Sequence, residues 1–206
     1  MIRQAAALLV SLSLMLTPAA KPVPDRVIVI VKENSKIEFH ASSTFAKVVG
    51  VFQDWNADFK LNSDTLENAS LLLDIQAGSV HTGSGFKDKE VKGKNFFNVT
   101  QFPEIKFVSD GVLPDPDPHK FTMTGNLTLR GITRPLTIAI VTATESNGTH
   151  KIKGSFDFNR RDFGMTHNMP FNKVADIIRV HIELEVPSDA LPPAQPATAS
   201  TAAPTT

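Results

Sequence analysis

Few side chains in this sequence combine the type and the spacing that chemistry requires. Asp162-Phe163-Gly164 has the form of a kinase magnesium motif, but nothing else of a kinase accompanies it. Gly83-Ser84-Gly85 is neither a nucleophile elbow nor a phosphate loop, and the third glycine of a dinucleotide fingerprint is missing. The six histidines, His40, His81, His119, His150, His167 and His181, are scattered without the short spacing of metal ligands. Asp115, Asp117 and His119 are interleaved with prolines and read as a solvated turn. There is no cysteine, so disulfides, thiolate metal sites and thiol nucleophiles are excluded. No carboxylate pair or triad converges, so no enzymatic activity, cofactor or metal is expected. What stands out is Phe: fourteen, beside one Trp and no Tyr. Phe brings a large apolar area and no polar handle. That surface suits a dry core or a hydrocarbon ligand.

The elements that must position these rings are strands. Lys120 to Leu129 alternates with period two: Phe121, Met123, Leu127 and Leu129 face one way, while Lys120, Thr122, Thr124, Asn126 and Thr128 face the other. Gly125 falls on the apolar face, where it allows tight curvature or close ligand approach. The same alternation recurs around Ile37-Phe39, Ala57-Leu61, Leu71-Ile75, Ile105-Phe107, Ile152-Phe158 and Ile178-Val186. Val27–Val31 and Leu136–Val141 are apolar on both faces and are expected to be covered by other segments. Strands with one wet and one apolar face indicate an antiparallel sheet. Periodicity leaves a sandwich and a closed barrel equally open. Helices are scarce: Ser84 to Lys94 is the best candidate, with a second, short one expected in Phe171–Asp176.

The ends of the chain differ from its middle. Residues 1–19 read as a signal peptide, with Arg3 before a short apolar run and Thr17-Pro18-Ala19 at the cleavage site. The run is too short to span a bilayer, and no later segment reaches a span's length, so no transmembrane segment is expected. The mature protein should be periplasmic or secreted. From 187 to 206 the composition collapses to Pro, Ala, Ser and Thr and is expected to be a disordered tail. One domain, 20–186, lies between. Lys plus Arg balance Asp plus Glu at 21 each, which argues against a nucleic-acid partner. A homodimer is neither required nor excluded.

Several segments in order resemble the YceI-like family. They are Ser35-Lys36-Ile37-Glu38-Phe39, Val49-Gly50-Val51-Phe52, Ser79-Val80-His81-Thr82-Gly83, Lys87-Asp88 and Asn95-Phe96-Phe97-Asn98. Further on come Phe102-Pro103-Glu104-Ile105-Lys106-Phe107, Gly125-Asn126-Leu127-Thr128-Leu129, Gly131-Ile132-Thr133-Arg134-Pro135 and Asn159-Arg160-Arg161-Asp162-Phe163-Gly164-Met165. The resemblance covers Val27 to Val186. It implies an all-β, extended eight-stranded antiparallel lipocalin-like barrel with one or two short helices. It also implies binding, storage or transport of an isoprenoid-type lipid, a polyisoprenoid or quinone, in an apolar lumen.

On that reading Phe39, Phe107, Phe121, Met123, Leu127, Ile152, Phe156 and Phe158 line the lumen. The alternative is that they pack a dry barrel that presents loops to a protein partner. A third reading is an enzyme acting on an apolar substrate. Phe163, Met165, Met169 and Phe171 are expected in a mouth loop, where Lys87, Arg160 and Arg161 meet a head-group anion. The plainer role for Arg161 is pairing with Asp162 or a neighbouring carboxylate. Phe96 and Phe97 form a lid over the lumen or a plug in one end.

Overall fold

The computed structural model describes residues 26–61, 66, 69–167 and 171–191. The expected signal peptide, Met169 and most of the expected tail lie outside them. The elements run β1 (Arg26–Ile28), β2 (Lys36–Ser42), β3 (Lys47–Phe52), β4 (Trp55–Leu61), β5 (Ala69–Gln76), β6 (Val80–His81), α1 (Gly85–Lys92), β7 (Glu104–Pro114), β8 (Lys120–Leu129), β9 (Ile132–Thr144), β10 (His150–Asn159) and β11 (Ile177–Val186).

Every strand pairing is antiparallel, and all eleven strands belong to one sheet. Eight were expected. The difference has a local cause: three long paths are each broken in two. A 3-10 turn, Lys32–Asn34, interrupts the first path between β1 and β2. A bend at Gln53-Asp54 separates β3 from β4, and a second 3-10 turn, Ala77–Ser79, separates β5 from β6. The pieces still pair as continuous paths. β3 pairs with β2 and β6, while β4 pairs with β1 and β5. The ladder then passes through β7, β8, β9, β10 and β11 and returns from β11 to β2. This curled all-β sheet is consistent with a lipocalin-like barrel.

Burial follows the alternation. Ile178, Val180, Ile182, Leu184 and Val186 of β11 are buried, as are Met123, Leu127 and Leu129 of β8. Leu129 and Ile132 are joined by Arg130-Gly131, both at positive φ (53° and 71°), the two-residue turn whose twist matches paired strands. Gly125 meets a specific need. A Cβ there would lie 2.4 Å from the Val108 carbonyl oxygen and 2.5 Å from the Phe107 ring. The ring of Phe107 therefore covers the space that glycine leaves open, beside the register shift between Ser109 and Gly111.

Four expectations need correction. Residues 171–176 form no helix, because their backbone is committed elsewhere. Ser43 bridges to Val174, Thr44 N–H donates to the Lys173 carbonyl (3.0 Å), and Ala175 N–H donates to the Ser42 carbonyl (2.8 Å). Val27, Val29 and Val141 are not covered but exposed: Val27 and Val141 sit on the outer face of the single sheet, and Val29 follows the end of β1. Order also continues past Val186: Ala190 is buried and Leu191 packs against the core, so the packed unit reaches at least Leu191. Finally, α1 is shorter than the expected 84–94 and buries no residue. It ends at Gly93, whose N–H caps the Glu90 carbonyl.

Gly125→Ala should lower unfolding free energy by about 1–3 kcal/mol, because one clashing atom is backbone and cannot swing aside. Urea denaturation reads this directly, and an unchanged midpoint would contradict the close packing of Phe107 over Gly125.

Candidate functional site

The inward faces leave three apolar cavities arranged end to end. The central one, about 50 Å³, is walled by sixteen side chains, all apolar, among them Phe39, Phe107, Leu127, Phe156 and Phe158. A second, about 40 Å³, is lined by Phe121, Met123 and Ile152, with Thr142 its one polar side chain. It shares Ile138 and Ile182 with the first. The third, about 230 Å³, lies beneath α1 and shares Phe39, Phe97 and Phe158 with the central cavity. All eight residues expected on a lumen thus face one of two adjoining inner cavities.

The boundary between the wide cavity and the central one is aromatic. Phe97 packs edge-on to Phe39 at 5.7 Å between centroids and tilts against Phe52, also at 5.7 Å; Phe39 and Phe52 are 6.0 Å apart. Phe97 is therefore an internal partition rather than an outer cover, while Phe96 belongs to the wall of the wide cavity. Their segment is anchored from outside the lumen. The Arg130 guanidinium donates to the Phe96 carbonyl and, at 3.2 Å, to that of Lys94. It also lies 5.9 Å from the Phe102 ring, and burial pushes it below its usual pKa.

The expected mouth loop is built differently from its sequence reading. Arg160 is buried, 1% exposed, and lines the wide cavity with its guanidinium engaged by the surrounding backbone. Its guanidinium donates to the carbonyls of Met165, His167 (3.2 Å), Val174 (3.1 Å) and Ala175 (3.0 Å), and it pairs with Asp176 at 3.0 Å. Burial lowers its pKa and the Asp176 carboxylate partly restores it. Arg161 pairs with the same Asp176 at 2.7 Å rather than with Asp162. Hydrogen bonding from Arg161, assisted by the charges of Arg161, Arg160 and Lys173, holds Asp176 below the usual carboxylate range. Phe163 is not at a rim either: it is buried and packs edge-on to Phe158 at 5.5 Å. Met165 is buried against the wide cavity. Lys87 lines that cavity.

Sequence reasoning missed part of the walls. Phe52 lines the central cavity, and Val48, Val174, Ile178 and Phe86 line the wide one. Val48 to Phe52 is apolar at both parities, which hid its inward set of Val48, Gly50 and Phe52. Asn172 adds a polar atom to the wide cavity: its Oδ1 is buried and accepts no hydrogen bond among the described residues. α1 is tied to β6 by Asp88, which accepts from Thr82 N–H (2.7 Å), Thr82 Oγ1 (2.6 Å) and His81 Nδ1 (3.0 Å). Among the described residues there is no cluster of three or more His, Cys, Asp or Glu that could hold a metal, and no helix long and apolar enough to cross a membrane.

Comparison with known proteins fits this architecture. The family model described as "YceI-like domain" matches residues 29–186. The chain belongs to the YceI-like family. A curated relative, a "UPF0312 protein" of Shewanella denitrificans, is 30% identical over 157 residues, covering 73% of this chain and 82% of the relative. Among solved structures, Burkholderia cenocepacia BcnA superposes with TM-score 0.68 at 22% identity, over 76% of this chain and 99% of BcnA. A domain of Saccharophagus degradans, described as polyisoprenoid binding and implicated in plant cell wall breakdown, gives TM-score 0.58 at 11% identity over 81% of this chain and 99% of that one. At those identities the two structures establish the likeness of fold.

Two predictions follow from how this YceI-like barrel supports its wide cavity. Arg160→Met leaves several buried carbonyls without a donor and should cost about 3–5 kcal/mol. Arg161→Met removes a partly exposed pair and should cost less than about 1 kcal/mol. Equal losses in urea denaturation would remove Arg160 from its role as anchor. The second concerns acid. Hydrogen bonds from Thr82, with a smaller contribution from His81, lower the Asp88 pKa below its ordinary 3.8. The stabilisation is therefore complete above that ordinary value and is lost as pH falls through the depressed one. In Asp88→Asn that acid-dependent loss should shrink, which thermal unfolding across pH 2 to 6 measures (a range of roughly two units on either side).

Proposed function

We propose that this protein binds, and stores or carries, a long isoprenoid-type lipid, a polyisoprenoid or an isoprenoid quinone, with its tail in the lumen. The proposed setting is the periplasm or the extracellular space, consistent with the N-terminal export-like segment. The observation that carries the reading is the end-to-end run of three cavities whose lining is almost wholly apolar. The description of the Saccharophagus domain as polyisoprenoid binding supports the same ligand class. No reaction is assigned to the protein.

The energetics are compatible with a tail that parts the aromatic partition. Burial contributes about 0.8 kcal/mol per CH2-sized group, so a five-carbon isoprene unit contributes on the order of 3–4 kcal/mol. Holding a ring ~30° off its rotamer costs about 0.5–1.5 kcal/mol. Once the loss of its contacts with Phe39 and Phe52 is added, about 0.5–1.5 kcal/mol each, the displacement of Phe97 is offset by about two inserted units. The head group would remain in the wide cavity, near Lys87 and the unbonded Asn172 Oδ1.

A second reading, a dry barrel presenting its loops to a partner, draws on the small size of the two inner cavities. The two readings diverge in what the purified protein contains. Native mass spectrometry and organic extraction of protein purified from its host should show a hydrophobic species. Phe121→Asp puts a charge on the lumen wall and should lower that occupancy roughly tenfold or more. Thr122→Asp, on the outward parity of the same strand, should leave it unchanged. Repeatedly ligand-free preparations, or equal effects of the two substitutions, would favour the dry barrel.

A further inference from the structure

The rim of the wide cavity carries an apolar feature that the lumen does not require. Of the described Phe residues three are largely exposed, Phe45 at 75%, Phe86 at 73% and Phe171 at 93%, and all three stand at this one opening. Phe45 is at the tip of the β2–β3 hairpin, between Ser43 and Ala46, which both line the cavity. Phe171 precedes Asn172, another lining residue, and its segment is bonded to that hairpin through Thr44 and Lys173. Phe86 stands on the first turn of α1 and lines the same opening. The other exposed large apolar residues are Val, Leu or Ile.

Cations accompany the rings. Lys47 follows Ala46, Lys173 follows Asn172, and Lys87 follows Phe86. Among the described residues none of the three forms a salt bridge. Among the described residues Glu90 is the one acid lining this cavity, and the nearby Asp176 is already paired with Arg160 and Arg161.

We propose that this rim docks on a lipid bilayer bearing anionic head groups, with Phe45, Phe86 and Phe171 entering the interface and Lys47, Lys87 and Lys173 meeting the head groups. The inference rests on the lipid-binding reading above and names the surface from which the cargo is taken or to which it is returned. Two terms act together. A few inserted aromatic rings give marginal, reversible membrane affinity by themselves. Each Lys near an anionic surface adds about as much as a tenfold-or-smaller gain in affinity, and salt screens it. Seated in this way, the opening of the wide cavity faces the hydrocarbon, and a tail can pass between bilayer and lumen without crossing water. Reversibility follows from the same numbers, since neither term alone holds the protein on the surface.

The test is flotation of the protein purified from its host with two kinds of vesicle, phosphatidylcholine alone and phosphatidylcholine with phosphatidylglycerol. The wild type should float with the anionic vesicles, and more weakly when salt is raised. The double variant Phe45→Ser with Phe171→Ser changes two rings that lie outside the cavity lining. It should partition on the order of tenfold or more less, while its melting temperature and its lipid content by native mass spectrometry stay at wild-type values. Wild-type protein that floats with neither vesicle, including protein that instead joins another protein through this face, would overturn the proposal. So would a folded double variant that floats as well as the wild type. The two readings fail separately: a rim-dependent association by a barrel that never holds lipid would leave docking standing and remove lipid carriage. A lipid-loaded barrel that ignores anionic vesicles would do the reverse.

Discussion

A sheet that curls round on itself turns one face away from water, and the chain must supply side chains for it that carry few unsatisfied polar atoms. Most features of this molecule answer to that constraint. Sixteen apolar residues enclose the central cavity. Charged and hydroxyl side chains sit at the alternate positions, where Lys106 pairs with Asp74 and Arg179 with Asp157 on the outer surface. The absence of Tyr fits the same rule, because a phenol on the inner face would need a partner that the lumen does not offer. Two of the path breaks are the 3-10 turns Lys32–Asn34 and Ala77–Ser79, and the first is tied to the start of β4. There Lys32 Nζ donates to the Trp55 carbonyl and lies 5.4 Å from its ring.

The open end follows a different principle. Strands alone cannot close it without leaving backbone unpaired, so non-strand segments must be fastened there. Arg160 does this from the inside, collecting carbonyls from 165, 167, 174 and 175 onto one planar group. Asp88 does it from the outside, fixing α1 to β6. Both are polar knots beneath apolar walls, and together they hold the wide cavity open as the inner lumen narrows. The buried guanidinium near the lumen thus serves the architecture of the opening, whereas cations able to meet a ligand or a surface are the exposed or half-buried lysines around it.

What could be read from the sequence divides along the same line. Strand faces were legible because period two is a local signal: one wet and one dry parity identified Phe39, Phe107, Met123, Leu127 and Ile152 as inward-facing. The breaks that turn eight paths into eleven strands were not legible, since a 3-10 turn at Ala77–Ser79 carries no sequence mark beyond one Gly. Arg160-Arg161-Asp162 looked like an exposed charged turn. Only tertiary contacts send Arg160 inward and leave its neighbour outside, and consecutive arginines give no local clue to which is which. Residues 171–176 failed for a related reason. Their helical appearance was local, and bonds to β2 and its hairpin, more than a hundred residues earlier, override it. Phe52 was overlooked because its strand is apolar at both parities.

The near absence of polar atoms along the cavities also determines how a guest can be selected. A lumen without fixed donors or acceptors cannot read functional groups along a tail; it can read only how much apolar surface enters and whether its shape fits between rings. Each additional isoprene unit that finds space adds on the order of 3–4 kcal/mol, and each unit left outside adds nothing. Discrimination among tails should therefore follow length and branching up to the reach of the lumen and then level off. The partition formed by Phe39, Phe52 and Phe97 sits where this matters, because a short tail can rest in the wide cavity without displacing it, whereas a long one must turn Phe97 aside to reach the inner cavities. On the same reading, head-group chemistry would act before that partition, where Lys87, Glu90, Arg160 and Asn172 are among the lining residues. On the proposed lipid-binding reading, length and head group would thus be sensed by separate parts of one cavity system, with the aromatic partition as the boundary between them.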